Sequence, residues 1–204
     1  MKTEIEVKFV NIDIDAMRQK LTDVGAELEQ PMRLMRRVLI EQPEHEAEHS
    51  FIRIRDQGDK TTLCFKRRAS KDIHTIDDTK EIEVNVSDFD TTVELFKEAG
   101  WPPKTYQENR RETWNLDDVE VVIDEWPWMP TQIEIEGPTE AAVQSAAKKL
   151  GLTWSEARLG HIDNIYQEYY TFAPGFRGVI ELAEVRFEDA PPSQMTPIES
   201  GDGS

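Results

Sequence analysis

Acidic and apolar residues alternate one by one in three stretches of this chain: Thr3-Glu4-Ile5-Glu6-Val7, Lys80-Glu81-Ile82-Glu83-Val84 and Gln132-Ile133-Glu134-Ile135-Glu136. A period of two is the mark of a strand with two unlike faces. Each stretch is followed by helical spacing, from about Asp13 to Val24-Gly25, from Ser87 to Ala99-Gly100, and from Thr139 to Leu150-Gly151. These runs open on Asp, Ser or Thr, whose side chains accept from the free amides of a first turn. They close on Gly, which takes the left-handed conformation that ends a helix. Ile14, Met17, Leu21 and Val24 make one stripe, and Phe89, Val93 and Phe96 another. The spacing of the units is too irregular for a solenoid, so they are expected to belong to one domain.

Further strands are expected at Met32 to Glu41, Ser50 to Arg55, Thr61 to Arg68, Tyr106 to Asn115 and Val119 to Trp126. Asp56-Gln57-Gly58-Asp59-Lys60 and Leu116-Asp117-Asp118 carry hairpin-turn chemistry. Residues 161–170 read as a fourth, short helix. About eight strands against three main helices predict an α+β fold: a closed eight-stranded antiparallel β tunnel with helices packed outside. The domain is expected over 1–175, with a C-terminal extension over 176–204. From about Ala190 the extension is rich in Pro, Ser, Gly and acid, a composition that predicts disorder.

Parity along the strands sorts the charges. Glu4, Glu6 and Lys8 share one face, opposite Ile5, Val7 and Phe9. Arg53 and Arg55 oppose Ile52 and Ile54; Lys66 and Arg68 lie with Cys64, opposite Phe65. Glu81 and Glu83, Glu120 and Asp124, and Glu134 and Glu136 repeat the pattern. Any one such strand is ordinarily half-exposed, with its charges in water. Taken together the strands point elsewhere, because amphipathic helices outside a closed sheet claim the apolar faces. The charges then line the inside, where they persist only paired or bound to ligands. Glu4, Glu6, Glu134 and Glu136 offer hard oxygens suited to Mg²⁺ or Mn²⁺. Lys8, Arg37, Arg53, Arg55, Lys66 and Arg111 suit phosphate oxygens, Arg37 rather than Arg36 being chosen by parity alone. Glu81, Glu83 and Asp124 are candidates for orienting water or organising the cations.

Composition narrows the partners. The net charge is −17, from 41 Asp and Glu against 24 Lys and Arg, which repels extended nucleic acid. Between Arg33 and Lys71, however, ten basic residues face six acidic ones. The single cysteine, Cys64, leaves no intramolecular disulfide and no cysteine zinc cage, and no partnered base marks it as a nucleophile. No apolar run approaches the roughly 20 residues of a membrane span, and charges sit where a signal peptide needs its apolar stretch. A soluble cytoplasmic protein, monomeric or homodimeric, is expected. His45, His49, His74 and His161 are scattered without ligand spacing. Trp126 and Trp128, beside prolines, fit packing under a loop better than base stacking, and Tyr166, Tyr169 and Tyr170 fit capping of a barrel.

The strand Glu4-Ile5-Glu6-Val7-Lys8 resembles the ExExK signature of the CYTH domain, the triphosphate tunnel metalloenzyme superfamily. The resemblance runs on through Phe51-Ile52-Arg53-Ile54-Arg55, Thr62-Leu63-Cys64-Phe65-Lys66, Lys80-Glu81-Ile82-Glu83, Arg110-Arg111, Val122-Ile123-Asp124 and Ile133-Glu134-Ile135-Glu136, covering roughly residues 2–172. It implies a tunnel that binds triphosphate groups with a divalent metal. Activities in the family include tripolyphosphatase, thiamine triphosphatase, RNA 5′-triphosphatase and class IV adenylyl cyclase. Two departures stand out: Trp126-Pro127-Trp128-Met129-Pro130-Thr131 replaces the usual approach to the last Glu-x-Glu strand, and Arg36-Arg37-Val38-Leu39-Ile40 replaces a strand with Asp and Tyr. The expected function is metal-dependent hydrolysis of tripolyphosphate or an organic or nucleoside triphosphate. The alternatives are a class IV-like cyclase making cyclic AMP from ATP, and a non-catalytic polyphosphate or nucleotide binder.

Overall fold

A computed structural model describes residues 2–68, 79–160 and 162–198. His74, His161 and the last six residues lie outside these. In chain order the elements are β1 (Lys2–Glu4), β2 (Glu6–Val10), α1 (Ile14–Asp23), β3 (Glu27–Ile40), α2 (Pro43–Ala47), β4 (Ser50–Asp56), β5 (Thr61–Arg68), β6 (Thr79–Val86), α3 (Phe89–Glu98), β7 (Thr105–Leu116), β8 (Val119–Glu125) and β9 (Gln132–Glu136). Then follow α4 (Glu140–Lys149), α5 (Ile162–Tyr169), β10 (Tyr170–Phe172), β11 (Glu184–Val185) and β12 (Met195–Pro197).

The three predicted strand–helix units are present. Asp13, Asp88 and Thr139 cap α1, α3 and α4 by accepting from Ala16, Thr91 and Ala142 amides. Gly25, Gly100 and Gly151 follow with φ of 80°, 85° and 69°, where a side chain would be strained. The hairpins form as expected: Gly58 has φ 90° and Asp117 φ 54°, the positive values that tight hairpins require.

One large sheet runs in the order β1-β6-β5-β4-β3-β7-β8-β9-β2 and is antiparallel along that path. Its two ends, β1 and β2, are separated in the chain by Ile5 alone. The expected eight strands are thus found, with the first divided in two. A tenth strand, β11, pairs parallel to β7 through Glu184 opposite Tyr106 and Val185 opposite Gln107, so the sheet is not wholly antiparallel. It occupies the edge of β7 that β8 does not reach, since β8 pairs only with residues 110–116. Strand β3 begins five residues before the expected Met32, with register shifts between Leu28 and Arg33. Pro31, which has no amide to donate, sits inside that irregular stretch.

Helices cover the apolar face. Met17 and Leu21 of α1 and Val143, Ala146 and Ala147 of α4 pack on Val7, Phe9, Trp114, Val121, Ile123, Ile133 and Ile135. Phe89 and Val93 of α3 pack on Val38, Ile40, Ile52 and Ile54. Each buried side chain of this size contributes about 1.5–3 kcal/mol. Glu112 breaks the apolar alternation: it is buried on the helix side, where Arg18 of α1 and the Trp114 indole donate to it. A third cluster joins Trp126, Ile162, Ile165, Tyr166 and Tyr170 to Val179, Val185 and Met195 of the C-terminal extension. Within the stretch from about 190, where composition predicts disorder, Met195 is 3% exposed and β12 pairs with β10. Buried apolar anchors outweigh a polar local composition. No described helix is long and apolar enough to cross a membrane.

Candidate functional site

The register places the predicted charges on one continuous face. Residues directly opposite in neighbouring strands share a face, and Glu6 opposes Glu136, which opposes Glu120. Lys8 opposes Glu134, Asp124 opposes Arg111, Arg37 lies between Gln107 and Arg55, and Arg53 leads through Cys64 to Glu83. Lys66 opposes Glu81. Glu4 falls at a register position opposite Thr79 in β1, and its side chain lies outside the described residues.

Contacts bind one half of this face into ion pairs. Lys8 Nζ donates to Glu6 at 2.6 Å and lies 3.4 Å from Glu134. Arg111 grips Asp124 with two guanidinium nitrogens, at 2.8 and 2.5 Å, and approaches Glu134 at 3.8 Å. Asp124 is 1% exposed and also accepts from Asn109. Burial alone would lower the Lys8 pKa, yet Glu134 and Glu6 hold it above the ordinary lysine value. Arg111 is raised in the same way by Asp124 and Glu134. Glu134 is held well below the usual carboxylate range against its burial, by Lys8, Arg111, Lys66 and Arg55. The last two stand on β5 and β4, far from β9 along the sheet order. The charged face therefore curves enough for Lys66 and Arg55 to act on Glu134.

The other half is left with excess positive charge. Arg37 donates through Nε and Nη2 to the Gln107 side-chain oxygen at 3.0 and 2.7 Å and stacks on Trp126 at 4.3 Å. Arg55 has a buried Nε without a hydrogen-bond partner and forms no ion pair within 4 Å among the described residues. Arg53 meets Glu83 at 3.3 Å with one nitrogen while its Nε stays unpartnered. Burial, then Arg53 and Arg111, pull the Arg37 pKa down to about 9. Burial with Arg53, Arg111 and Arg37 pulls Arg55 well below its ordinary value. Arg37 and Arg55, buried beside Arg53, each have the pKa lowered by neighbouring guanidinium groups, an arrangement whose chemistry suits an anion. Arg36, by contrast, points to the helix side, paired with Asp56 and Asp90 and set over Phe89. The two arginines thus lie on opposite faces of β3, Arg37 on the face with Arg53 and Arg55.

Carboxylate crowding marks where a cation fits. Glu120 has its pKa raised by burial first, with Glu136, Glu134 and Glu29 adding to the shift against Arg111. Glu120, Glu136 and Glu6 are consecutive across three strands, and their oxygens suit Mg²⁺ or Mn²⁺. A second group, Cys64, Glu81 and Glu83, has donor atoms within 4.8 Å of one another. Burial pushes the Cys64 thiol up to about 12, and it donates to Glu81, so it is a poor ligand for a hard cation. Lys66 lies 3.4 Å from the same Glu81.

Gln107, Asn109 and Glu120 also lie on this face and escaped selection as site residues. Gln107 and Asn109 carry no charge, but stepping back by two from Arg111 along β7 reaches both. Trp126 packs at 5% exposure rather than offering a free face for a base. Tyr166 and Tyr170 hydroxyls donate to Pro127 and Trp128 carbonyls, fixing α5 against the same turn.

No functionally curated protein matches the chain. Its fold is that of the PH1012 protein from Pyrococcus horikoshii OT3, with a TM-score of 0.62 at 23% identity, covering 76% of this chain and 94% of that one. A conserved protein of Pyrococcus furiosus is alike at TM-score 0.63 and 22% identity, covering 76% and 95%. So is a Vibrio parahaemolyticus protein provisionally named an adenylate cyclase, at TM-score 0.68 and 11% identity, covering 81% and 98%. At such identities these likenesses concern the fold alone. The family model for the CYTH domain matches residues 2–165, across most of the strands that carry the charged face, and the chain belongs to that family.

Proposed function

We propose that the sheet closes into a tunnel in which the protein hydrolyses a triphosphate with the help of Mg²⁺ or Mn²⁺. The observation that carries this reading is the group Arg37, Arg53 and Arg55, buried together with too few carboxylates among the described residues to balance them. Burying such charges costs several kcal/mol unless an anion joins them, and a chain of phosphates supplies that anion with several oxygens at once. Lys8, Lys66 and Arg111 extend the clamp along the same face.

Glu6, Glu134 and Glu136 would hold the metal, with Glu4 as the fourth ligand expected from sequence. When bound, the ion neutralises phosphate oxygens and makes water a better nucleophile. The chain's residues do the rest. A water oxygen attacks the terminal phosphorus in line, the bond to the bridging oxygen breaks, and the leaving diphosphate takes the electron pair. Arginines stabilise the charge that builds on that leaving group. Asp124, wholly engaged by Arg111 and Asn109, acts by fixing Arg111. Glu81 and Glu83 position Lys66 and Arg53 and are the nearest candidates to orient water.

The test is a product assay with Mg²⁺ and separately with Mn²⁺, offering tripolyphosphate, ATP and thiamine triphosphate and resolving orthophosphate, pyrophosphate and cyclic AMP. Orthophosphate release that Glu6→Gln abolishes is the expected result. Cyclic AMP with pyrophosphate from ATP would replace hydrolysis by cyclisation, and tight binding without turnover would make the protein a sensor.

A further inference from the structure

Two arginines of the charged face present the same pair of nitrogens, Nε and Nη2, to unlike partners. Arg111 gives one nitrogen to each oxygen of Asp124, at 2.8 and 2.5 Å. Arg37 gives both to the single side-chain oxygen of Gln107, at 3.0 and 2.7 Å. That bond sets which way round the amide sits, and its nitrogen is left buried without a partner among the described residues. A glutamate at this place has nearly the same shape and could meet the fork with two oxygens, a stronger bond than an amide makes. It would also bring a counter-charge to a guanidinium that burial and its arginine neighbours already strain. For the unliganded fold alone, Gln107 is therefore the poorer choice.

The amide is nevertheless firmly built in. Gln107 is fully buried, it opposes Arg37 in the register of β3 and β7, and β11 pairs with β7 at the same point, Val185 opposite Gln107. Trp126 supports the guanidinium with its ring centroid 4.3 Å away, and the indole is in turn packed with Ile165, Tyr166, Val179 and Val185. An aromatic face attracts a cation without cancelling its charge. Asp124 and Asp163 reach Arg37 only as more distant charges, and Asp124 is already taken by Arg111. Arg37 is thus gripped by two uncharged groups, one amide and one ring.

We propose that Gln107 is a positioning residue whose neutrality is its function: with Trp126 it fixes the Arg37 guanidinium in place and leaves the charge for the anion. The inference rests on the phosphate-binding reading above. A carboxylate at 107 would satisfy Arg37 from within the fold and repel a chain of phosphates. A side chain without an acceptor would let the fork swing away from the ligand. The amide between these extremes gives up some stability of the empty protein for affinity, as functional sites commonly do.

Calorimetry of the full chain with tripolyphosphate and Mg²⁺, paired with ligand-free melting in EDTA, tests the role. Gln107→Glu is expected to melt at the wild-type temperature or above it, and to bind about tenfold to a hundredfold more weakly. A merely structural amide would move both readouts downward together. Gln107→Met, made alone and together with Arg37→Met, separates action through Arg37 from direct contact with the ligand. It is expected to weaken binding about threefold to tenfold in the wild type, and by less than about twofold once Arg37 is gone. Wild-type affinity in Gln107→Glu, a Gln107→Glu protein that melts earlier or does not fold, or additive losses in the Met pair would each overturn the positioning role while sparing the phosphate reading. A wild type that does not bind tripolyphosphate would overturn both.

Discussion

On the wall made by β2, β9, β8 and β7 every described cation has a carboxylate: Lys8 has Glu6 and Glu134, and Arg111 has Asp124. On the wall made by β3 and β4, Arg53 reaches Glu83 with one nitrogen only, Arg37 has an amide oxygen and an indole ring, and Arg55 has, among the described residues, neither ion pair nor partner for its Nε. The residue types are the same, and the balance is not. In the paired wall, removing one partner strands the other, so the charges there hold the structure and one another's positions. In the other wall, folding itself leaves the charges short of partners among the described residues, and the anion proposed above would relieve them. The contrast separates charges that the fold needs from charges that the proposed anion would satisfy.

Asp124→Ala probes that contrast most strongly. It leaves the Arg111 guanidinium, 13% exposed, without its bidentate partner, and a loss of about 3–5 kcal/mol is expected. Urea denaturation measures it, and a loss below about 1 kcal/mol would mean that the paired wall is not structural. Arg55→Met should act in the opposite sense. Stability is expected to hold or rise, while tripolyphosphate affinity measured by calorimetry falls by about tenfold to a hundredfold. A variant as destabilised as Asp124→Ala would erase the distinction between the walls.

Parity was enough to read most of both walls from the sequence, because strands of strict period two carry their face in every second residue. It put Arg37 and Arg36 on opposite faces and Lys8, Arg53, Arg55, Lys66 and Arg111 on one, as the register does. It failed where the period breaks or where tertiary contacts override it. Around Pro31 the register shifts twice, so the true start of β3 at Glu27 carries no alternation to follow. Glu112 looks misplaced on an apolar face until α1 brings Arg18 to it. The two-residue β11 has no local signal at all; it exists because Val185 is buried beside Gln107. The division into paired and unpaired cations was equally hidden, since it depends on which strands the curvature brings opposite each other.

Acid titration sharpens the paired wall. The Glu134 pKa is lowered on folding from an ordinary 4.5, so it contributes stability that is present above that pH and is lost as pH falls through the folded value. Glu134→Gln should therefore flatten the fall in stability below about pH 4.5. Denaturant midpoints collected from pH 3 to pH 7 would show it, and parallel curves for the two proteins would contradict the pairing assigned here.

Glu120 offers the smallest and most discriminating change, because it stands next to the paired wall with the opposite sign. Its pKa is raised by burial and by Glu136 and Glu134, so the folded protein binds the proton more readily than the unfolded chain does. The group therefore costs stability once pH rises above the unfolded value, and the full cost is present at neutral pH. Its side chain opens onto solvent, which keeps that cost small. Glu120→Gln is expected to raise the melting temperature by about 1–3 °C in EDTA at pH 7. Saturating Mg²⁺ should erase the advantage, because a divalent cation held by Glu6 and Glu136, which Glu120 adjoins across the sheet, would relieve the same crowding in the native protein. An advantage that survives Mg²⁺ unchanged would show that the carboxylate row and the metal do not meet.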